Sequence, residues 1–189
     1  MKKIYFVRHS LPNFEIKDDR TRPLSAEGIE RCKEIDSFFK EIEIDAIYSS
    51  PFKRAYDTVI NLSKIKKIEI KYIEDFRERK VSDKWIEDFN DFAKKQWNDF
   101  NYKLKDGESL SEVQNRNIKG LEAILQNKEY NNIVIATHGT ALSTIVNYYD
   151  NLFGINDFNR IKNKMPFIMI MTFNGLKYIS KKEVFFDEE

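Results

Sequence analysis

The chain has 189 residues, 41% hydrophobic and 33% charged, a balance that suits a globular protein with a sizeable core and excludes a disordered one. Its 32 basic and 31 acidic residues leave a net charge of +1, which gives no global reason to expect nucleic acid or a membrane surface as partner. The single cysteine, Cys32, excludes an intramolecular disulfide framework.

The first apolar run, Ile4-Tyr5-Phe6-Val7, predicts a strand over 3–7. It follows Met1-Lys2-Lys3 directly, with no signal-peptide pattern, and no apolar run nears the ~18–20 residues of a membrane span, so a cytoplasmic location is expected. A polar loop over 10–23 carries Asp18, Asp19, Arg20 and Arg22. Ser25 is placed to cap a helix reaching about Glu41, with Ile29, Cys32, Ile35, Phe38 and Phe39 on its apolar face. Cys32 reads there as a packing residue. Ala46-Ile47-Tyr48 predicts a second strand, and Pro51 suits the first turn of a helix carrying Arg54, Ala55, Thr58 and Leu62.

A third strand is expected over 68–73. The stretch 74–107 is charged and aromatic, and we read about 79–106 as a helical, lid-like insert in a single domain spanning 1–189, with Trp85 and Trp97 as its packing residues. Arg79 and Lys80 read as solvated charges. Ser109 or Ser111 opens a long helix to about Asn127; on it, Arg116 reads as an i,i+4 partner of Glu112. A strand over 133–137, a helix from Gly139 to about Asp150, and a hairpin of 167–173 with 177–180 around Asn174-Gly175 complete the chain before a solvated acidic tail, 187–189. Alternating strands and helices predict a three-layer α/β/α sandwich, its sheet mostly parallel with an antiparallel edge strand.

The chain's two histidines, His9 and His138, each follow an apolar strand at the point where it gives way to loop or helix. Ligands in open α/β sheets collect outside the carboxyl ends of strands, so two such histidines, one beside Arg8, point to a shared anion site. Phosphoryl transfer without a metal needs positive charge and N–H donors, a nucleophile, and a proton donor for the leaving oxygen. Arg8-His9-Ser10 offers guanidinium and imidazole, Arg54 stands in the first turn of a helix, His138-Gly139-Thr140 repeats the strand-end pattern, and Phe76-Arg77-Glu78 offers a carboxylate, with Glu74 and Asp75 as alternative acids. No metal-ligand set is visible.

Five motifs in order resemble the histidine phosphatase superfamily, the phosphoglycerate mutase-like proteins: Arg8-His9-Ser10; Pro23-Leu24-Ser25-Ala26-Glu27-Gly28; Ser49-Ser50-Pro51 with Arg54, Ala55 and Thr58; Gly107-Glu108-Ser109 with Arg116; and Thr137-His138-Gly139. The resemblance implies a phosphoglycerate mutase-like fold and a metal-independent, cofactor-free reaction. It implies that His9 becomes phosphohistidine, that Arg8, Arg54 and His138 bind the phosphoryl group, and that Glu78 donates the proton. Ser10, Gly139 and Thr140 join the expected substrate-binding set. Three departures stand out: Ser10 replaces the usual glycine, Glu15 stands where many members carry asparagine, and no glycine follows Glu78. The leading expectation is a phosphomonoesterase acting on a small phosphorylated metabolite, with no nucleic-acid or membrane partner. A phosphoglycerate mutase, a phosphoprotein phosphatase and a non-catalytic phosphate-binding protein remain alternatives. Neither substrate nor oligomeric state can be read from the sequence.

Overall fold

The apolar runs at 3–7, 133–137 and 167–173 become the centre of one sheet. The computed structural model describes residues 1–84 and 86–186, so Trp85 and the tail 187–189 lie outside the described residues. In chain order the elements are β1 (Lys2–Arg8), α1 (Ala26–Phe38), β2 (Ala46–Ser49), α2 (Lys53–Lys66), β3 (Ile70–Tyr72), a 3₁₀ turn (Glu74–Phe76), α3 (Phe89–Asn98), α4 (Leu110–Gln126), β4 (Asn132–Thr137), α5 (Gly139–Tyr149), α6 (Ile155–Ile161), β5 (Phe167–Asn174) and β6 (Lys177–Phe185). The sheet order is β3-β2-β4-β1-β5-β6. β3, β2, β4 and β1 are mutually parallel. β5 runs antiparallel to β1, and β6 returns along it as the expected hairpin.

Central strands buried on both faces carry apolar side chains at every position. Alternation then divides them between two cores. Ile4, Phe6, Ile133 and Ile135 pack with Leu121 and Ile124 of α4, Leu142 and Ile145 of α5, and Ile161 of α6. Tyr5, Val7, Val134 and Ala136 pack on the other face with Ile35 and Phe39, and with Val59 and Leu62 of α2. Two helical layers thus sandwich the sheet, and each fully buried Ile, Leu or Phe contributes about 1.5–3 kcal/mol.

Helix boundaries follow their caps. The Ser25 hydroxyl accepts from the Gly28 N–H at 3.0 Å, opening α1 one residue later. α1 stops at Phe38, short of Glu41. Its buried stripe is Gly28, Cys32 and Ile35, joined by Phe39 at the end. Ile29 stands about 100° round the helix from Gly28 and is 63% exposed, which corrects its assignment to the apolar face. Ser109 rather than Ser111 opens α4, in a capping box with Glu112.

α6 was not expected. Seven residues with two buried side chains, Phe158 and Ile161, present too little periodicity to be seen in the sequence. Helices this short depend on tertiary packing.

Candidate active site

Strand register brings the two histidines together. Arg8 pairs with Thr137 across β1 and β4, and Ser49 pairs with Ala136 across β2 and β4. The His9 N–H continues the ladder to the Thr137 carbonyl at 3.0 Å, and the Ser50 N–H reaches the Ala136 carbonyl at 2.9 Å. Three strands therefore end side by side, delivering His9, Ser50 and His138 to one spot. The imidazole centroids lie 5.2 Å apart, although 129 positions separate the residues.

Hydrogen bonding assigns the His9 tautomer. Nδ1 lies 2.8 Å from the Ser10 carbonyl, which can only accept, so Nδ1 carries the proton. Nε2 then holds the lone pair, and Arg54 Nε–H donates to it at 3.2 Å. Burial, reinforced by the Arg54 and Arg8 charges, holds the His9 pKa well below the ordinary imidazole value. His138 is pushed the same way by burial and then by Arg54. Its Nε2 is 2.7 Å from the Ser50 hydroxyl, and its Nδ1 is buried without a partner among the described residues.

The two arginines are fixed from opposite sides. Arg8 is 7% exposed and donates to the carbonyls of Ile161 (2.7 Å), Lys162 (2.6 Å) and Lys164 (3.1 Å) at the end of α6. A cation at a helix C-terminus is favourable. Even so, burial outweighs the nearby Glu78 charge and brings the Arg8 pKa down to about 10. Glycine after His138 makes room: a Cβ on Gly139 would sit 3.1 Å from the Arg8 guanidinium carbon. Arg54, 3% exposed, stands over the Phe52 ring at 5.2 Å and pairs with the Asp19 carboxylate at 3.2 Å. Thr58 locks the first turn of α2 to the loop after β1. Its hydroxyl donates to the Arg54 carbonyl at 2.7 Å and accepts from the Ser10 N–H at 2.9 Å.

Glu78 reaches this cluster from the loop beyond the 3₁₀ turn. Its carboxylate accepts from the N–H groups of Thr140 and Ala141, each at 3.1 Å, so it occupies the N-terminus of α5. The Thr140 amide is therefore engaged by Glu78. Glu74 pairs with Arg20 at 3.1 Å on the exposed surface, and Glu15 is exposed.

Arg116 corrects its expected pairing. Instead of Glu112, it meets Glu108, with Nε and Nη2 donating to Oε1 and Oε2 at 2.9 and 3.0 Å. Its guanidinium also donates to the carbonyls of Asp75 (2.6 Å), Arg77 (2.9 Å) and Glu78 (3.3 Å). Glu108 in turn accepts from the Arg77 side chain at 2.6 Å and the Lys80 N–H at 3.0 Å. Burial alone would raise the Glu108 pKa; the Arg116 hydrogen bond and the other donors reverse this and lower it. Gly107 permits the close approach, since a Cβ there would meet the Val81 carbonyl oxygen at 2.1 Å. The i,i+4 reading failed because the loop 75–80, remote in sequence, offered Arg116 three carbonyls.

Arg79 is likewise not solvated. It is 3% exposed, donates to Gln96 at 2.5 Å and lies between the Phe89 and Phe92 rings at 5.3 and 5.2 Å. Lys80 is exposed and pairs with Asp83. Trp97 packs against Phe100, Phe153 and Phe158. Cys32 is buried, and its thiol is pushed up to about 12 by burial, consistent with packing.

A cavity of about 240 Å³ opens beside these groups, lined by Arg8, Glu78, Gly139 and Thr140 together with Phe89, Asn90, Phe158, Lys162 and Asn163. A larger cavity, about 390 Å³, borders Lys2, Asn131 and Leu176 at the opposite end of the sheet, remote from both histidines. Among the described residues no three His, Cys, Asp or Glu side chains converge as a metal site requires. No helix among them is long and apolar enough to cross a membrane.

Known proteins share this architecture. The family model described as histidine phosphatase superfamily (branch 1) matches residues 4–179. A Hydrogenobacter thermophilus protein named "Putative phosphoserine phosphatase 2" is 28% identical over 161 residues, 77% of each chain. Bacillus stearothermophilus YhfR superposes with a TM-score of 0.76 at 20% identity, covering 95% of both chains. A mutant phosphoserine phosphatase from Entamoeba histolytica, solved with phosphoserine, gives 0.76 at 21% identity over 95% of this chain and 94% of that one. With the family model matched across nearly its whole length, the chain belongs to the histidine phosphatase superfamily, branch 1.

Proposed function

We propose that this enzyme hydrolyses small phosphomonoesters through a phosphohistidine on His9. One observation carries the reading. The His9 Nε2 lone pair, assigned by the Nδ1–H bond to the Ser10 carbonyl, faces the space shared with His138 and Arg54 in a neutral imidazole. Nε2 attacks phosphorus, the ester P–O bond breaks, and protonated Glu78 gives its proton to the leaving alkoxide. Arg8, Arg54 and His138 hold the phosphoryl oxygens, whose charge is spread in the transition state. Substrate oxygens take the Arg54 N–H that His9 now accepts, and displace Asp19 from the same guanidinium. Glu78 then takes a proton from water as the water oxygen attacks phosphorus. The N–P bond breaks and inorganic phosphate leaves. Gly139 leaves room for the Arg8 guanidinium, Ser10 ties its loop to Thr58, and Thr140 lines the pocket while its amide orients Glu78. The phosphatase names of the relatives, and the phosphoserine bound in the Entamoeba structure, support a small phosphorylated metabolite as substrate.

The test is phosphate release from a panel of phosphomonoesters, p-nitrophenyl phosphate included, in EDTA. Loss of a nucleophile removes on the order of 10³-fold or more in kcat, so the His9→Ala protein is expected to be inactive yet folded. Near-native turnover by that variant would exclude His9 as nucleophile.

A further inference from the structure

Part of the pocket lining has a composition the phosphoryl chemistry does not use. Lys162, Asn90 and Asn163 form it together with the rings of Phe89 and Phe158. Lys162 stands at the end of α6 and acts in two directions. Its carbonyl accepts from Arg8 at 2.6 Å, and its ammonium donates to the Asn90 side-chain carbonyl at 3.0 Å, across to α3. One bond to a neutral amide leaves the ammonium two further donors. Among the described residues no carboxylate pairs with it. Glu78, the one carboxylate among the described residues lining the same cavity, is held by the Thr140 and Ala141 amides.

We infer that Lys162, flanked by the Asn90 and Asn163 amides, is a subsite for a carboxylate on the alcohol portion of the substrate. The inference rests on the phosphatase reading above. With the phosphoryl group at His9 and Arg8, the leaving oxygen faces Glu78, and the rest of the alcohol extends towards α3 and the end of α6. A cavity of about 240 Å³ is smaller than the roughly 300–1,000 Å³ of sites for drug-sized ligands. It suits a compact hydroxy acid. An ammonium with two amides beside it favours an anion on that alcohol, through a charge-assisted bond at the half-exposed mouth of the cavity.

The experiment compares phosphate release from 3-phosphoglycerate and from glycerol 3-phosphate, which differ only in a carboxylate against a hydroxymethyl group. p-Nitrophenyl phosphate serves as a third substrate. The native enzyme is expected to prefer the carboxylate ester in kcat/KM by about 5-fold, the upper range of a solvent-accessible charged pair. Lys162→Gln should collapse that ratio towards one, and Lys162→Arg should restore most of it. Circular dichroism establishes that each variant is folded. A native enzyme that does not discriminate within the pair, or a Lys162→Gln protein that keeps the native ratio, overturns the subsite while phosphatase activity stands. No release from any of the three esters overturns the phosphatase reading itself, and the subsite with it.

Discussion

The cradle formed by His9, His138, Arg8 and Arg54 and the segment 79–106 are held by different means. In the cradle, backbone geometry does the placing. His9, Ser50 and His138 sit at the ends of adjacent parallel strands, and the ladder that pairs Arg8 with Thr137 also sets their spacing. Beyond Glu78, side chains take over. Arg116 and Glu108 clamp the loop 75–80, Gln96 donates to the carbonyls of Tyr102 and Glu108, and Arg79 is enclosed by two phenylalanines. A sheet end tolerates sequence change in its flanks because its register is set by many bonds at once. A side-chain clamp depends on two or three residues, so its loss reaches Glu78 directly.

Glu78 joins the two regions and is the sharpest place to test the difference. Glu78→Gln is expected to keep the α5 contacts partly satisfied while removing the transferable proton. Turnover of alkyl phosphates should fall about 10²- to 10⁴-fold, and that of p-nitrophenyl phosphate much less, because its leaving group needs little protonation. Equal losses on both substrates would make Glu78 a structural cap of α5 only.

Arg116→Met tests the clamp. Removing a partly buried partner of Glu108, together with three carbonyl contacts, should cost about 2 kcal/mol, read as a lower urea midpoint at unchanged slope. The variant should also acquire the leaving-group dependence of Glu78→Gln in milder form. A loss of stability with an unaltered leaving-group profile would mean that the α5 amides alone hold the acid.

The cradle makes a pH prediction with a definite sign. Both histidines have folded pKa values below the unfolded value of about 6.5. The unfolded chain therefore binds protons that the folded chain does not. Their contribution is complete above about pH 6.5 and declines as pH falls towards the folded values, by at most about 1.4 kcal/mol per histidine per pH unit. Two histidines give two resolvable imidazole resonances, and neither should titrate between pH 7.5 and 6 in the folded protein. A normal midpoint near 6.5 for either would show a hydrated ring, and for His9 it would undo the buried, neutral-nucleophile assignment.

The legibility of the chain follows the same division. His9, Arg8, Arg54 and His138, which the structure brings together, stand out in the sequence because strand ends and helix starts leave local marks: apolar runs of four or five residues, then a small or proline residue. The hairpin at Asn174-Gly175 was visible for the same reason, whereas the choice of Ser109 over Ser111 as the α4 cap waited on the structure. Arg79 misled because a charge in a charged stretch reads as solvated, and its enclosure by Phe89 and Phe92 depends on how α3 folds back. Ile29 misled because periodicity marks a face without saying where packing stops.

By itself the sequence determined the alternation of strands and helices, the two-sided burial of the central strands, and the residues able to carry phosphoryl chemistry, since each of these is written in short-range pattern. Only the tertiary structure decided that α6 exists and ends on Arg8, that Arg116 braces the loop of Glu78 rather than pairing along its own helix, and that Lys162 faces the pocket. Those outcomes are bonds between side chains and backbone groups tens of residues apart, and their partners become neighbours only once the sheet has closed its register.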